Sequence, residues 1–160
     1  MRNFRPGIER WSGEPCVQHN DMNLNGGCLC GGVRYELEEP PFGVVDCHCI
    51  DCRRSSGAPL VTWGIVQRAK FNLVSGTLRR VSYAGRLRGF ATCCGTQILF
   101  EDAADSPTVD VAIATLDEPQ PFPPAKAIWI EDKLPWVILD PSVPSSPTIP
   151  ARGEGQSERN

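Results

Sequence analysis

The sequence lacks any apolar run that approaches the length of a membrane-spanning helix. It also lacks a basic excess. Its net charge is −3 and its pI is about 5.4. It therefore has no general field for nucleic-acid backbones or anionic lipid, and neither partner is expected. The first residues, Met-Arg-Asn-Phe-Arg-Pro-Gly, hold no apolar stretch of the kind a secretory signal needs, so a cytoplasmic location is expected. No segment shows a convincing helical period. Glycine and proline, 15 of each, punctuate the chain instead, which favours short strands over long helices. The 160 residues are about one domain long, and 41% hydrophobic with 22% charged residues fits a soluble globular protein.

Residues 1–22 read as an irregular N-terminal arm, 23–140 as the folded domain, and 141–160 as a flexible tail. In the tail, Pro141, Pro144, Pro147 and Pro150 recur among Ser and Thr, a pattern suited to extended polyproline geometry. Within the domain, Val33–Glu38 alternates apolar and polar residues as a half-buried strand does. Further strands are expected over Leu60–Val66, Lys70–Val74, Arg79–Tyr83, Thr96–Phe100, Val109–Ala114 and Trp136–Leu139. The fold class is mainly β.

Seven of the eight cysteines fall in three clusters: Cys28 and Cys30; Cys47, Cys49 and Cys52; and Cys93 and Cys94. Only Cys16 stands outside them. In a reducing compartment, clustered thiols point to metal or catalysis rather than disulfides. Zinc takes four soft ligands, and close-spaced pairs from separate loops supply them. The middle cluster offers three thiolates from one loop, the ligand count of a zinc that keeps a position open for chemistry.

At these residues the chain resembles the glutathione-dependent formaldehyde-activating enzymes, a family that also includes centromere protein V. The resemblance rests on Gly27-Cys28-Leu29-Cys30-Gly31-Gly32-Val33-Arg34-Tyr35 and on Cys47-His48-Cys49-Ile50-Asp51-Cys52-Arg53-Arg54-Ser55-Ser56-Gly57. It continues through Trp63, Ser75-Gly76, Cys94-Gly95-Thr96, Ile128-Trp129 and Leu134-Pro135-Trp136, and so spans roughly residues 25–140. It implies two zinc sites on a small β fold of packed antiparallel sheets, resembling that of methionine sulfoxide reductase B. One site, structural, maps to Cys28, Cys30 and Cys94. The other maps to Cys47, Cys49 and Cys52. Two departures stand out. Ala91 occupies the place of a family cysteine while Cys93 adds a thiol, so the structural site is rebuilt with Cys93, one protein ligand short, or lost. Ala127 stands near where many members carry a His.

A zinc held by three thiolates is a poor Lewis acid and is better suited to exchanging a soft fourth ligand, such as a substrate thiolate. That agrees with the chemistry the resemblance implies: a carbon–sulfur lyase-type step on an adduct of glutathione, or another small thiol, with formaldehyde or a related aldehyde. The candidate catalytic residues are Cys47, Cys49, Cys52 and His48, the last as a proton carrier. Arg53, Ser56, Gly57, Trp63 and Trp129 are candidates for substrate binding. Arg79, Arg80, Arg86 and Arg88 read as exposed hairpin charge, with contact to substrate carboxylates as the alternative. The bland reading of the triplet is a structural zinc completed by Asp51, His48 or Cys16. Two other functions compete: a non-catalytic zinc-stabilised binding protein, disfavoured by the acidic charge, and a thiol redox sensor acting through Cys93 and Cys94 or the triplet. The oligomeric state, monomer or homodimer, is not legible.

Overall fold

A computed structural model describes residues 24–148. The expected N-terminal arm with Cys16, and the end of the expected tail, lie outside the described residues. The elements in chain order are β1 (Asn25–Gly27), β2 (Arg34–Leu37), β3 (Gly43–Cys47), α1 (Ile50–Ser56), β4 (Val61–Gln67), β5 (Phe71–Ser75), β6 (Leu78–Tyr83), β7 (Arg86–Ala91), β8 (Gln97–Glu101), β9 (Thr108–Ala112), β10 (Lys126–Ile128) and β11 (Ser145–Ser146). Three short 3-10 turns link some of them. No helix among the described residues is long and apolar enough to cross a membrane.

The strands form a small sheet, β1-β2-β5, and a large one, β11-β10-β3-β4-β9-β8-β7-β6. Pairing is antiparallel throughout, except where β10 runs parallel to β3 and to β11. The main core lies between the sheets. Tyr35 and Leu37 from the small sheet meet Val44, Val66, Leu99, Val109 and Val111 from the large one, all buried. Tyr35 stacks on Phe71 with ring centroids 5.2 Å apart, and its hydroxyl meets the Thr115 hydroxyl at 2.7 Å.

Because side chains alternate along a strand, the neighbours of these core residues face the other way. Val45 and Cys47 on β3, Trp63 and Ile65 on β4, Asp110 on β9, Phe100 on β8, Arg86 and Arg88 on β7, and Lys126 and Ile128 on β10 share one cavity on the outer face of the large sheet.

Several expectations need correction. A helix, α1, follows the middle cysteine cluster, and it escapes periodicity because it is only 7 residues long. Trp136–Leu139 is not a strand. Pro135 sits in a turn closed by the Val137 N–H on the Leu134 carbonyl at 3.0 Å, and the Lys133 ammonium binds the Leu134 and Val137 carbonyls. The segment after Pro141 also joins the fold, since Ser145–Ser146 pairs with Ala127–Ile128. That edge pairing needs backbone N–H groups, and the two serines between Pro144 and Pro147 have them.

Candidate metal centres and cavity

The middle cysteines converge because a strand end, a short loop and a helix start each place one of them. Cys47 ends β3, Cys49 caps α1, and Cys52 lies in its first turn. The Cys49 sulfur accepts the Cys52 N–H at 3.3 Å, the position an N-cap side chain normally takes. Gly57, left-handed at φ +68°, closes the helix by donating to the Arg53 carbonyl at 2.9 Å. The Cys47 and Cys49 sulfurs are 3.5 Å apart, and the indole N–H of Trp63 donates to the Cys52 sulfur at 3.4 Å. The three sulfurs lie within 4.8 Å of one another. Around one tetrahedral zinc, neighbouring sulfurs stand about 3.8 Å apart, so the triplet fits such an ion. As free thiols they share one charge. The S–H groups of Cys47 and Cys52 pull Cys49 well below the usual thiol range, and the same contact pushes Cys47 up.

A second cluster gathers Cys28, Cys30, Cys93 and Cys94. Its sulfurs are separated by 3.6 Å (Cys28–Cys30), 3.5 Å (Cys28–Cys93) and 3.3 Å (Cys30–Cys93). Cys93 thus stands with the pair from the first loop, where a site short of one ligand would have left a gap. Gly32 makes this possible, because a Cβ there would lie 3.0 Å from the Cys93 sulfur. The Val33 N–H donates to the Cys28 sulfur at 3.2 Å and lowers the Cys28 thiol. The hydroxyl and N–H of Thr96 draw Cys94 down to about 6, while Cys93 is pushed up to about 12 beside Cys30. Ala91 is buried in the core instead of reaching toward the sulfurs. Both clusters can therefore hold a metal ion.

The cavity beside the triplet has a volume of about 370 Å³. Trp63, Phe100, Ile65 and Ile128 give it apolar walls, and Trp129 closes one side with its backbone in the left-handed region at φ +57°. A bulky non-glycine residue seldom adopts that conformation, and such strain concentrates at functional sites. Of the expected substrate-binding residues, Trp63 and Trp129 line the cavity, whereas Arg53, Ser56 and Gly57 do not. Arg53 instead donates to the His48 carbonyl at 3.2 Å, and the Ser56 hydroxyl donates to the Cys52 carbonyl at 2.8 Å, so both brace the loop and helix.

His48 is 1% exposed and lines a different cavity, of about 200 Å³, with Asp46, Ala127 and the turn after Pro135. Burial lowers its pKa. The structure does not bring its ring to the triplet's cavity. Arg79 and Arg80 are exposed, as hairpin charge is expected to be, and the Arg86 side chain is 42% exposed at the cavity's rim, whereas Arg88 is buried and lines the cavity. Sequence reasoning missed Phe100, Asp110, Lys126 and Asp132 there. For Phe100, Asp110 and Lys126 the signal was alternation along strands whose facing could not be fixed without the fold; Asp132, in a 3-10 turn, carried no such signal.

A family model described as "Glutathione-dependent formaldehyde-activating enzyme" matches residues 23–132. The chain is 25% identical over 129 residues to a Halomonas elongata protein provisionally named a glutathione-dependent formaldehyde-activating enzyme, covering 74% of this chain and 82% of that protein. A crystal structure of a Rhodobacter sphaeroides protein is similar with a TM-score of 0.49 and 21% identity, covering 59% of this chain and 88% of the other.

Proposed function

The chain belongs to the glutathione-dependent formaldehyde-activating enzyme family, and on that premise we propose that it makes and breaks the carbon–sulfur bond between a glutathione-type thiol and formaldehyde or a related aldehyde. The observation that carries this reading is the convergence of Cys47, Cys49 and Cys52 at the wall of an apolar cavity. Zinc is the metal proposed for both clusters, and in the triplet it would supply a soft open position that favours a substrate sulfur in its thiolate form. The second cluster would hold a structural zinc through Cys28, Cys30, Cys93 and Cys94. Thiols kept reduced for two metals suit a cytoplasmic location.

The protein's own groups then orient the reaction. Trp63 and the Cys52 N–H fix two of the sulfurs through the hydrogen bonds described above. Phe100, Ile65 and Ile128 exclude water, and Trp129 confines the small aldehyde. The thiolate lone pair adds to the carbonyl carbon, and the carbonyl oxygen takes up a proton to become a hydroxyl. The reverse step releases thiol and aldehyde. Holding both partners in one cavity supplies proximity and orientation. His48, in the other cavity, is left out of this proton transfer.

The test is the rate at which the hydroxymethyl adduct forms from glutathione and formaldehyde, followed by exchange NMR with zinc-loaded protein. Acceleration over buffer that disappears in Cys49→Ala is expected. Rates equal to buffer across several thiols and aldehydes would sink the reading.

A further inference from the structure

The imidazole of His48 is 1% exposed, and neither ring nitrogen has a hydrogen-bond partner among the described residues. A neutral imidazole carries one N–H donor and one acceptor nitrogen, and burying both unmet costs the desolvation of each. The backbone holds the ring in this place. The His48 N–H donates to the Ile128 carbonyl at 3.1 Å, which carries the β3–β10 pairing one residue past Cys47. Side chains alternate along β3 and its extension. Val45 and Cys47 therefore line the triplet's cavity, whereas Asp46 and His48 line the smaller one.

The smaller cavity has a volume of about 200 Å³. Both carboxylates in its wall are engaged. The Thr62 hydroxyl donates to Asp46 at 2.6 Å. The Ser142 N–H and hydroxyl donate to Asp140 at 2.8 Å and 2.7 Å. The rest of the wall is apolar, with Leu60, Pro123, Val137 and Leu139 among its side chains, and no lysine or arginine lines it. Ala127 makes the room. It is 4% exposed, stands opposite Asp46 in the β10–β3 pairing and contributes only a methyl group. His48 is thus the one polar side chain of this cavity without a partner among the described residues.

An apolar wall with a single convergent polar group is the way small-molecule sites are built. A cavity of about 150 Å³ holds benzene, so this one admits a six-membered ring bearing a hydroxyl. Carboxylates with no cation beside them repel an anion. A hydroxyl meets the imidazole as donor or as acceptor, whichever nitrogen it faces. We propose that this cavity is a second ligand site, for neutral single-ring phenols or alcohols that hydrogen-bond to the His48 ring. It lies on the other side of β3 from the cysteine triplet and takes no part in the thiol chemistry proposed above.

The probe is phenol, titrated at fixed pH into the full-length, zinc-loaded chain carrying ¹⁵N in its two histidines. Long-range ¹H–¹⁵N spectra locate the site, with His19 as the second signal, and calorimetry gives affinities. Phenol is expected to shift the His48 ring nitrogens saturably. It should bind at least about tenfold more tightly than toluene, a difference of about 1.4 kcal/mol, and benzoate should not bind. Ala127→Leu fills the cavity and should abolish phenol binding. His48→Leu keeps apolar volume but removes the ring nitrogens, so it should bind phenol and toluene equally; it decides the matter if Ala127→Leu fails to fold. No saturable shift at His48 would mean that the cavity takes ordered water only, and overturns the proposal. Equal affinity of wild type for phenol and toluene, a phenol preference that survives His48→Leu, or undiminished binding by folded Ala127→Leu overturns it as well. None of these readouts uses a thiol or an aldehyde, so they are independent of whether carbon–sulfur bond formation is accelerated.

Discussion

Single residues divide sharply into those the sequence announced and those it concealed. The cysteines were legible because soft-ligand chemistry leaves a spacing signature. Cys93 was legible only as an open question, and its sulfur stands 3.3 Å from Cys30, close enough for the two to share a metal ion. Elemental analysis should therefore find two zinc ions per chain. Cys49→Ala should lose one and keep the other, and Cys94→Ala should show the reverse pattern. A single ion per chain, lost in Cys49→Ala and kept in Cys94→Ala, would show that the outer cluster does not hold metal. Arg88 was concealed for a physical reason. An arginine among other arginines reads as solvated charge, and only the facing of its strand reveals a buried guanidinium. His48 misled in the opposite direction: a histidine between two ligands suggests a shared site, but the backbone turns its ring into another cavity.

At the scale of elements, strands with clear alternation were readable. β2, β4, β5, β6, β8 and β9 all lie within or beside the expected segments. Among the elements that escaped were β7, interleaved with arginines, α1, whose N-cap and first turn carry Cys49 and Cys52, and the strands β1, β3, β10 and β11, which show no clear alternation. Gly64 shows how tightly β4 is held between the two faces of the sheet. A Cβ there would lie 2.5 Å from the Ile113 side chain and 3.0 Å from Pro41. Gly64→Ala should cost about 1–3 kcal/mol through overpacking, measurable as a lower denaturant midpoint at unchanged slope. Because Trp63 and Ile65 flank it and line the cavity, the same substitution should also shift the Trp63 fluorescence. A midpoint within error of wild type would mean that Ile113 has room to move.

On the scale of the whole molecule, one large sheet does two jobs. Its inner face, with the small sheet, forms the hydrophobic core, and its outer face carries the triplet, the aromatic wall and Arg88. This division was not readable from the sequence, because an alternating strand states that two faces differ without stating which one is inside. The class of fold was readable, since it needed only turn density and strand pattern. The partnership of β10 with β3 was not. It is a parallel contact between segments some eighty residues apart, and nothing local encodes it. That contact nonetheless sets the site. It places Ile128 beside Cys47, and the His48 N–H bonds the Ile128 carbonyl at 3.1 Å, immediately before strained Trp129.

Unequal burial gives the two thiol clusters different clocks. Cys30, Cys93 and Cys94 are exposed, whereas Cys47 and Cys52 are buried and Cys49 is half-buried. A bulky hydrophilic chelator can approach the first set directly but must wait for an opening of the protein to reach the second. Metal release to a colorimetric chelator should therefore proceed in two phases of equal amplitude, the fast one missing from Cys94→Ala and the slow one missing from Cys49→Ala. A single phase would mean that both ions leave through one common unfolding event. With two phases, there is an interval in which the chain has shed its outer metal and still holds the inner one. A brief shortage of zinc would then draw first on the ion that props the fold, and only later on the one beside the cavity.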